Sequence, residues 1–183
     1  MVGKVGNDNY GKELLKSAEE SGVNIELTTQ TSEYPSAIGN VQIEVGERST
    51  QNRIVVVPGA NMQIVREDVA VLKKMIADFD MAILQNEIPM EINIIIAEFA
   101  EEFGVPVMFN PAPSGKIPHE LFSRLTYISP NEHEAYDITG IALSDKENIL
   151  KAIEKISNMG VPGVIITLGK NGAVYSKNQE IYF

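Results

Sequence analysis

MAILQNEIPMEINIIIAEFAEEFGVPVMFN, residues 81–110, decides the fold. Met81-Ala82-Ile83-Leu84 is a short apolar run and reads as a strand. A helix is expected near residues 91–103, where Ile92, Ile95, Ile96, Phe99 and Phe103 recur at i, i+3, i+4, i+7 and i+11, the rhythm of one buried face. That stripe is core rather than a ligand surface. Residues 105–109 resume a strand, and strand, helix, strand is the grammar of a parallel sheet.

The pattern continues toward the carboxyl end. Residues 125–129 read as a strand, and Ser144 with Glu147 forms a capping box that starts a helix carrying Ile149, Ala152, Ile153 and Ile156, stopped by Gly160. Residues 164–168 form an apolar run suited to a buried parallel strand, and residues 173–176 and 180–183 read as two short strands. Toward the amino end, residues 1–6 read as a strand. Asn7-Asp8-Asn9 supplies caps for a helix with Leu14, Leu15 and Ala18, which ends at Gly22. Across residues 24–57 the period changes: Val41, Ile43 and Val45 alternate with Gln42 and Glu44, the polar residues 46–52 interrupt, and Ile54-Val55-Val56-Val57 resumes. An antiparallel sheet is expected there. Pro58-Gly59-Ala60-Asn61 ends it, and a helix over residues 66–79 follows with Val69, Leu72 and Ile76 on one face. The expected organisation is an α/β core of residues 1–23 and 58–183 with a mainly parallel central sheet, into which the β segment 24–57 is inserted. A final strand without a crossover helix leads to the expectation that the chain is a piece of something longer.

The 183 residues suit one domain of ordinary size, and 44% apolar with 22% charged residues is the balance of a folding chain. A net charge of −10 repels nucleic acid backbones and anionic lipid, so neither is expected as a partner. A phosphorylated small molecule stays open, because backbone N–H groups can supply local positive potential. The absence of cysteine excludes disulfides and thiolate chemistry and fits a reducing cytoplasm. No apolar run approaches the ~20 residues of a spanning helix, and the first residues lack the apolar centre of a signal peptide.

Three segments carry polar residues where strands give way to turns or helices. In Gln85-Asn86-Glu87-Ile88-Pro89, Glu87 sits where open α/β sheets place ligands. A carboxylate there accepts from two sugar hydroxyls or serves as a helix-start carboxylate. In Pro130-Asn131-Glu132-His133-Glu134, Asn131 and Glu134 lie three apart. They either hold a hydrated Mg²⁺ and a phosphate or form a capping box. Thr167-Leu168-Gly169-Lys170-Asn171-Gly172 is either a phosphate cradle or a hairpin turn at Asn171-Gly172. His119 and His133 lie in polar segments without a Ser/Asp pattern, so a hydrolase triad is not expected.

Taken in order, Val5-Gly6-Asn7-Asp8 with Gly11, Asn52 through Asn61, Gln85 through Pro89, Asn110-Pro111-Ala112-Pro113, Pro130 through Ala135 and Thr167-Leu168-Gly169 with Gly172 resemble the ribokinase-like sugar kinases. The resemblance covers essentially the whole chain. It implies a three-layer α/β/α fold with a small β lid at residues 24–57, and ATP-dependent phosphorylation of the 5-hydroxyl of D-ribose. Fructose and deoxyribose are the alternative acceptors. It implies sugar contacts at Glu87 and Gly39, and nucleotide contacts at Asn131, Thr167, Leu168, Gly169, Lys170, Asn171 and Gly172. Glu134 is implied to reach Mg²⁺ through water, a monovalent cation (K⁺) to serve the full-length enzyme, and two lids to clasp in a homodimer.

No residue here matches the family's Gly-Gly-Lys-Gly-Ala-Asn sugar segment or its Gly-Ala-Gly-Asp segment, whose aspartate is the general base. The expectation is therefore a central fragment, inactive alone, with no catalytic residue of its own. The other reading is a non-catalytic module that associates through its lid.

Overall fold

The computed structural model describes residues 1–45, 50–177 and 180–182. The chain divides into two compact units, Met1–Asp68 and Val69–Phe183.

In the first unit, β1 (Val2–Gly6) leads through α1 (Asn9–Glu20) to β2 (Leu27–Thr31), which pairs parallel with β1 from Val2↔Leu27 to Gly6↔Thr31. Asp8 is the N-cap of α1. The antiparallel sheet expected from residue 24 therefore begins later. Parallel neighbours need a crossover of about a dozen residues or more; residues 7–26, which contain α1, supply it and make β2 a partner of β1. The antiparallel pairing is confined to β3 (Ile38–Val45) and β4 (Thr50–Val57), in register from Ile38↔Val57 to Val45↔Thr50. The expected polar interruption at 46–52 is shorter, since β4 starts at Thr50, while residues 46–49 lie outside the described residues. Opposite residues share a face, so Gly39, Val41 and Ile43 stand with Ile54 and Val56, and Ile38 stands with Val55 and Val57. Every one of these residues is exposed, Ile43 to 66%. A 3-10 turn at Gly59–Gln63 follows, then α2 (Arg66–Val69). Lys4 on β1 ion-pairs with Asp68 at 2.6 Å and donates to the Gln63 carbonyl at 2.9 Å.

The expected helix over 66–79 is instead α2 followed by two 3-10 turns, Ala70–Lys74 and Ile76–Asp78. Val69 and Leu72 are three apart, and a 3-10 turn stacks such residues on one side. The expected face of Val69, Leu72 and Ile76 is thus buried without a continuous α-helix.

The second unit is built on a six-stranded sheet in the order β10-β9-β8-β7-β6-β5. β5 (Ala82–Gln85), β6 (Val107–Asn110), β7 (Tyr127–Ile128) and β8 (Gly163–Thr167) run parallel. β9 (Ala173–Lys177) and β10 (Glu180–Tyr182) add antiparallel edges. The connecting helices are α3 (Met90–Phe103), α4 (His119–Phe122), α5 (Glu132–Thr139) and α6 (Lys146–Ser157). Phe109, Ile128, Val164, Ile166 and Val174 on the strands are fully buried, with Ile92, Ile95, Ala97 and Ala100 of α3 and Ala152, Ile153 and Ile156 of α6. This is the mainly parallel α/β sheet that the periodicity predicts.

Two details of the helices differ from expectation. Phe103 is 45% exposed, and the buried face of α3 turns through Asn93, Ala97 and Ala100, the two alanines admitting close packing. The cap of α6 is Asp145, which accepts from Asn148 N–H at 2.9 Å; Ser144 donates to Asp145 and lies one residue outside. A carboxylate outcompetes a hydroxyl for an orphan N–H at a helix start because charge strengthens the hydrogen bond. Among the described residues no helix is long and apolar enough to cross a membrane.

Candidate functional site

The carboxyl ends of β5 through β8 turn into loops that hold most of the polar residues singled out above, as open parallel sheets do. At the end of β7, Asn131 is the N-cap of α5. Its Oδ1 accepts from Glu134 N–H at 2.9 Å. Glu134 Oε2 accepts from Asn131 N–H, and Oε1 from Asn131 Nδ2, each at 2.8 Å. The capping box is complete. Glu134 is only 6% exposed, with both carboxylate oxygens turned to Asn131, which itself reaches solvent.

The next loop is a hairpin. Thr167 pairs antiparallel with Ala173, Leu168 N–H donates to the Gly172 carbonyl at 2.8 Å, and Asn171 N–H donates to the Leu168 carbonyl at 3.0 Å. Gly169 and Gly172 take φ of 53° and 87°, and a Cβ at either would meet nothing within 4 Å. Their need for glycine is therefore conformational rather than steric. Leu168 is buried. Thr167, Gly169, Lys170, Asn171 and Gly172 are exposed.

The fold joins these two loops. Thr167 N–H donates to the Pro130 carbonyl at 3.0 Å, and Asn131 forms a parallel bridge with Thr167. Asn131, Thr167 and the Gly169–Gly172 turn thus form one continuous exposed surface with Glu134 beneath it. At both places the geometry realises the structural alternative, a cap and a hairpin; Asn131 still reaches solvent at the first, and Thr167, Lys170 and Asn171 do so at the second. Among the described residues no three His, Asp or Glu side chains gather to hold a metal. A single carboxylate suits Mg²⁺ only through the waters that ion keeps, and Glu134, already engaged, fits contact of that outer kind.

Glu87 lies at the end of β5, exposed. Three strand spacings separate β5 from β8, about 14 Å along the sheet edge. The loop holding Glu87 is fixed by its own polar side chains. Glu87 N–H donates to Gln85 Oε1, Asn86 Nδ2 donates to the Pro113 carbonyl at 2.7 Å, and Asn86 N–H donates to the Ala112 carbonyl at 3.0 Å. Behind it, Asn93 Nδ2 donates to the Gln85 carbonyl at 2.8 Å. Asn93 is 0% exposed, and its Oδ1 finds no partner among the described residues. Sequence reasoning missed Asn93; the available signal was a lone amide inside an aliphatic stripe. Gly39 lies in the other unit, on β3 opposite Val56, and is exposed.

Residues 1–183 match the family model described as pfkB family carbohydrate kinase. A curated relative from Lactococcus lactis, named ribokinase, is 36% identical over 182 residues, covering 99% of this chain and 56% of the relative. A ribokinase from Schizosaccharomyces pombe is 34% identical, covering 98% of this chain and 57% of its own length. The chain thus spans a little over half the length of these two relatives. Among solved structures, an Arabidopsis thaliana ribokinase complexed with ribose and ATP superposes with a TM-score of 0.85 at 29% identity. It is matched over 98% of this chain and 58% of its own.

Proposed function

The chain belongs to the pfkB family of carbohydrate kinases, and from that membership we propose that it supplies the β lid and the central sheet of an ATP-dependent kinase acting on the 5-hydroxyl of D-ribose. The observation that carries the nucleotide half is the joining of the Asn131 loop to the Thr167–Gly172 turn at the carboxyl edge of the sheet. The names of the relatives and the ribose and ATP of the Arabidopsis structure support the choice of sugar.

In this reading Asn131, Thr167 and the turn Gly169 to Gly172 receive the phosphates, and exposed Lys170 brings positive charge to an otherwise acidic chain. The Asn131–Glu134 box keeps the first turn of α5 rigid, so the groups facing the nucleotide are held before it arrives. Mg²⁺ bound with ATP neutralises phosphate charge, and Glu134 would hold that ion through water. Glu87 accepts hydrogen bonds from sugar hydroxyls, and the Gln85 and Asn86 contacts fix the loop that carries it. Gly39 is a second sugar contact on β3. The proton acceptor for the attacking hydroxyl matches none of these residues, so the 183 residues alone are expected to show no ribose-dependent ADP release. The reaction needs a base in the full-length protein, for which we also propose use of K⁺ and a cytoplasmic location.

Calorimetry on the full-length protein tests the assignment. Glu87→Ala should weaken ribose binding at least about tenfold, one to two charge-assisted hydrogen bonds, and leave MgATP affinity unchanged. Equal losses for both ligands would make Glu87 a structural residue and remove the sugar assignment.

A second reading, a module that associates through its hairpin, is favoured by the exposed aliphatic faces of β3 and β4. The two are compatible if two hairpins clasp in a homodimeric kinase. Absence of kinase activity from the full-length protein would leave association alone.

A further inference from the structure

Asp8 caps α1, a task that Ser, Thr or Asn performs with a single oxygen. Here both carboxylate oxygens are used, and the second partner lies far along the chain. Oδ1 accepts from Gly11 N–H and from Ser36 Oγ–H, and Oδ2 accepts from Ser36 N–H, all at 2.8 Å. Ser36 Oγ in turn accepts from Gly6 N–H at 3.0 Å, and Ser36 is fully buried. The N–H of Gly11, then the N–H and hydroxyl of Ser36, hold the Asp8 carboxyl below its ordinary value.

Ser36 stands two residues before β3. The other root of the hairpin arrives at the same place: Ala60 N–H donates to the Pro35 carbonyl at 2.8 Å. Backbone meets backbone there without room for side chains. A Cβ on Gly6 would lie 2.4 Å from Ser36 N, one on Gly11 2.0 Å from the Gly6 carbonyl oxygen, and one on Gly59, at φ +48°, 2.3 Å from the Pro35 carbonyl oxygen. Both ends of an exposed hairpin are thus drawn to one junction whose polar centre is Asp8.

We propose that Asp8 is a positioning residue for the sugar-contacting edge of the hairpin: its carboxylate fixes Ser36, and through it the course of the chain to Gly39 three residues on. The link to sugar rests on the reading of Gly39 given above. An asparagine at position 8 would turn a donor toward the Ser36 N–H, and a serine would keep the helix cap while losing the second oxygen. Asp8→Ser therefore tests positioning with the cap preserved, and Ser36→Ala removes part of the same contact from the other side.

Amide hydrogen exchange on the 183-residue chain decides the first half. In Asp8→Ser and in Ser36→Ala, amides of residues 36–40 should exchange about tenfold faster, the loss of one hydrogen bond. Amides in the middle of α1 and throughout Val69–Phe183 should stay within about two-fold of wild type. Unchanged exchange at 36–40 in both variants, or acceleration spread evenly over the first unit, overturns the proposal. Calorimetry on the full-length protein decides the second half: Asp8→Ser should bind ribose at least about fivefold more weakly, ~1 kcal/mol, with MgATP affinity unchanged. A loosened root with unaltered ribose affinity also overturns it. Roots loosened in both variants, together with a full-length wild-type protein that binds no ribose, uphold the junction and defeat instead the reading of Gly39 as a sugar contact.

Discussion

Ile54-Val55-Val56-Val57 on β4 and Val164-Ile165-Ile166 on β8 are nearly the same sequence in opposite surroundings. The first run is exposed at every position, and in the second Val164 and Ile166 are fully buried. Composition and β-propensity do not separate them. The difference lies in what the chain places beside each: β8 has strand neighbours on both edges and packs against α5 and α6, while β4 pairs with β3 in a two-stranded sheet. An aliphatic run thus identifies a strand, and only its neighbours decide whether it is core. A two-stranded sheet is marginal by itself.

The contrast is broken most directly by shortening one residue in each run. Ile166→Ala should cost about 2–5 kcal/mol, the range for a buried isoleucine, whereas Ile54→Ala should change stability by less than about 0.5 kcal/mol, as at exposed sites. Urea unfolding followed by circular dichroism measures both. Equal losses would mean that the hairpin is covered.

Association sharpens the same contrast. If two hairpins clasp, Val41→Asp should weaken self-association of the full-length protein by at least about a hundredfold, because it brings an unpaired charge into an apolar contact. Sedimentation equilibrium reads the dissociation constant, and a wild-type monomer would remove the clasp. A smaller effect is expected at the capping box. Asn131→Ala should destabilise by about 1 kcal/mol and also weaken MgATP binding, whereas Asp145→Ala, a cap away from the candidate site, should do only the first. Thermal melts paired with nucleotide titration distinguish the two.

The smallest effect concerns pH. Burial pushes the Asp68 carboxyl up, but the hydrogen bond and charge of Lys4, the Val65 N–H and the Thr29 hydroxyl outweigh it and leave it below its ordinary value. A carboxyl lowered in the folded state stabilises above its unfolded value and loses that contribution as pH falls through the folded one. Stability should therefore decline in acid more steeply in wild type than in Asp68→Asn, by less than about 1 kcal/mol, as befits a pair near the surface. Parallel acid titrations of the two proteins, monitored by fluorescence of the tyrosines, test this.

The parallel sheet was legible because residues 81–110 combine period, length and turn residues in one window. The pairing of β2 was not, since strand direction depends on a crossover that the alternation of 27–31 does not record. The broken helix at 66–79 was hidden because three apolar residues define a face for an α-helix and for 3-10 turns alike. At the candidate site, residue types and loop ends were readable, and the bridge between Asn131 and Thr167 was not, being a contact across 36 positions of chain. Asp8 shows the same limit. Its cap is local and was anticipated, but Ser36 lies 28 residues away with nothing nearby to announce it.

The junction of Gly6, Gly11, Ser36 and Gly59 divides the first unit for protein engineering. Because both ends of the hairpin emerge from one closely packed point, residues between Ile38 and Val57 form a cassette that can be exchanged for a hairpin of another length or surface while the socket is kept intact. Hairpins with a different surface can then be grafted without redesigning the pairing of β1 with β2. Libraries should leave positions 6, 8, 11, 36, 39 and 59 fixed and spend their diversity on the rest of the two strands.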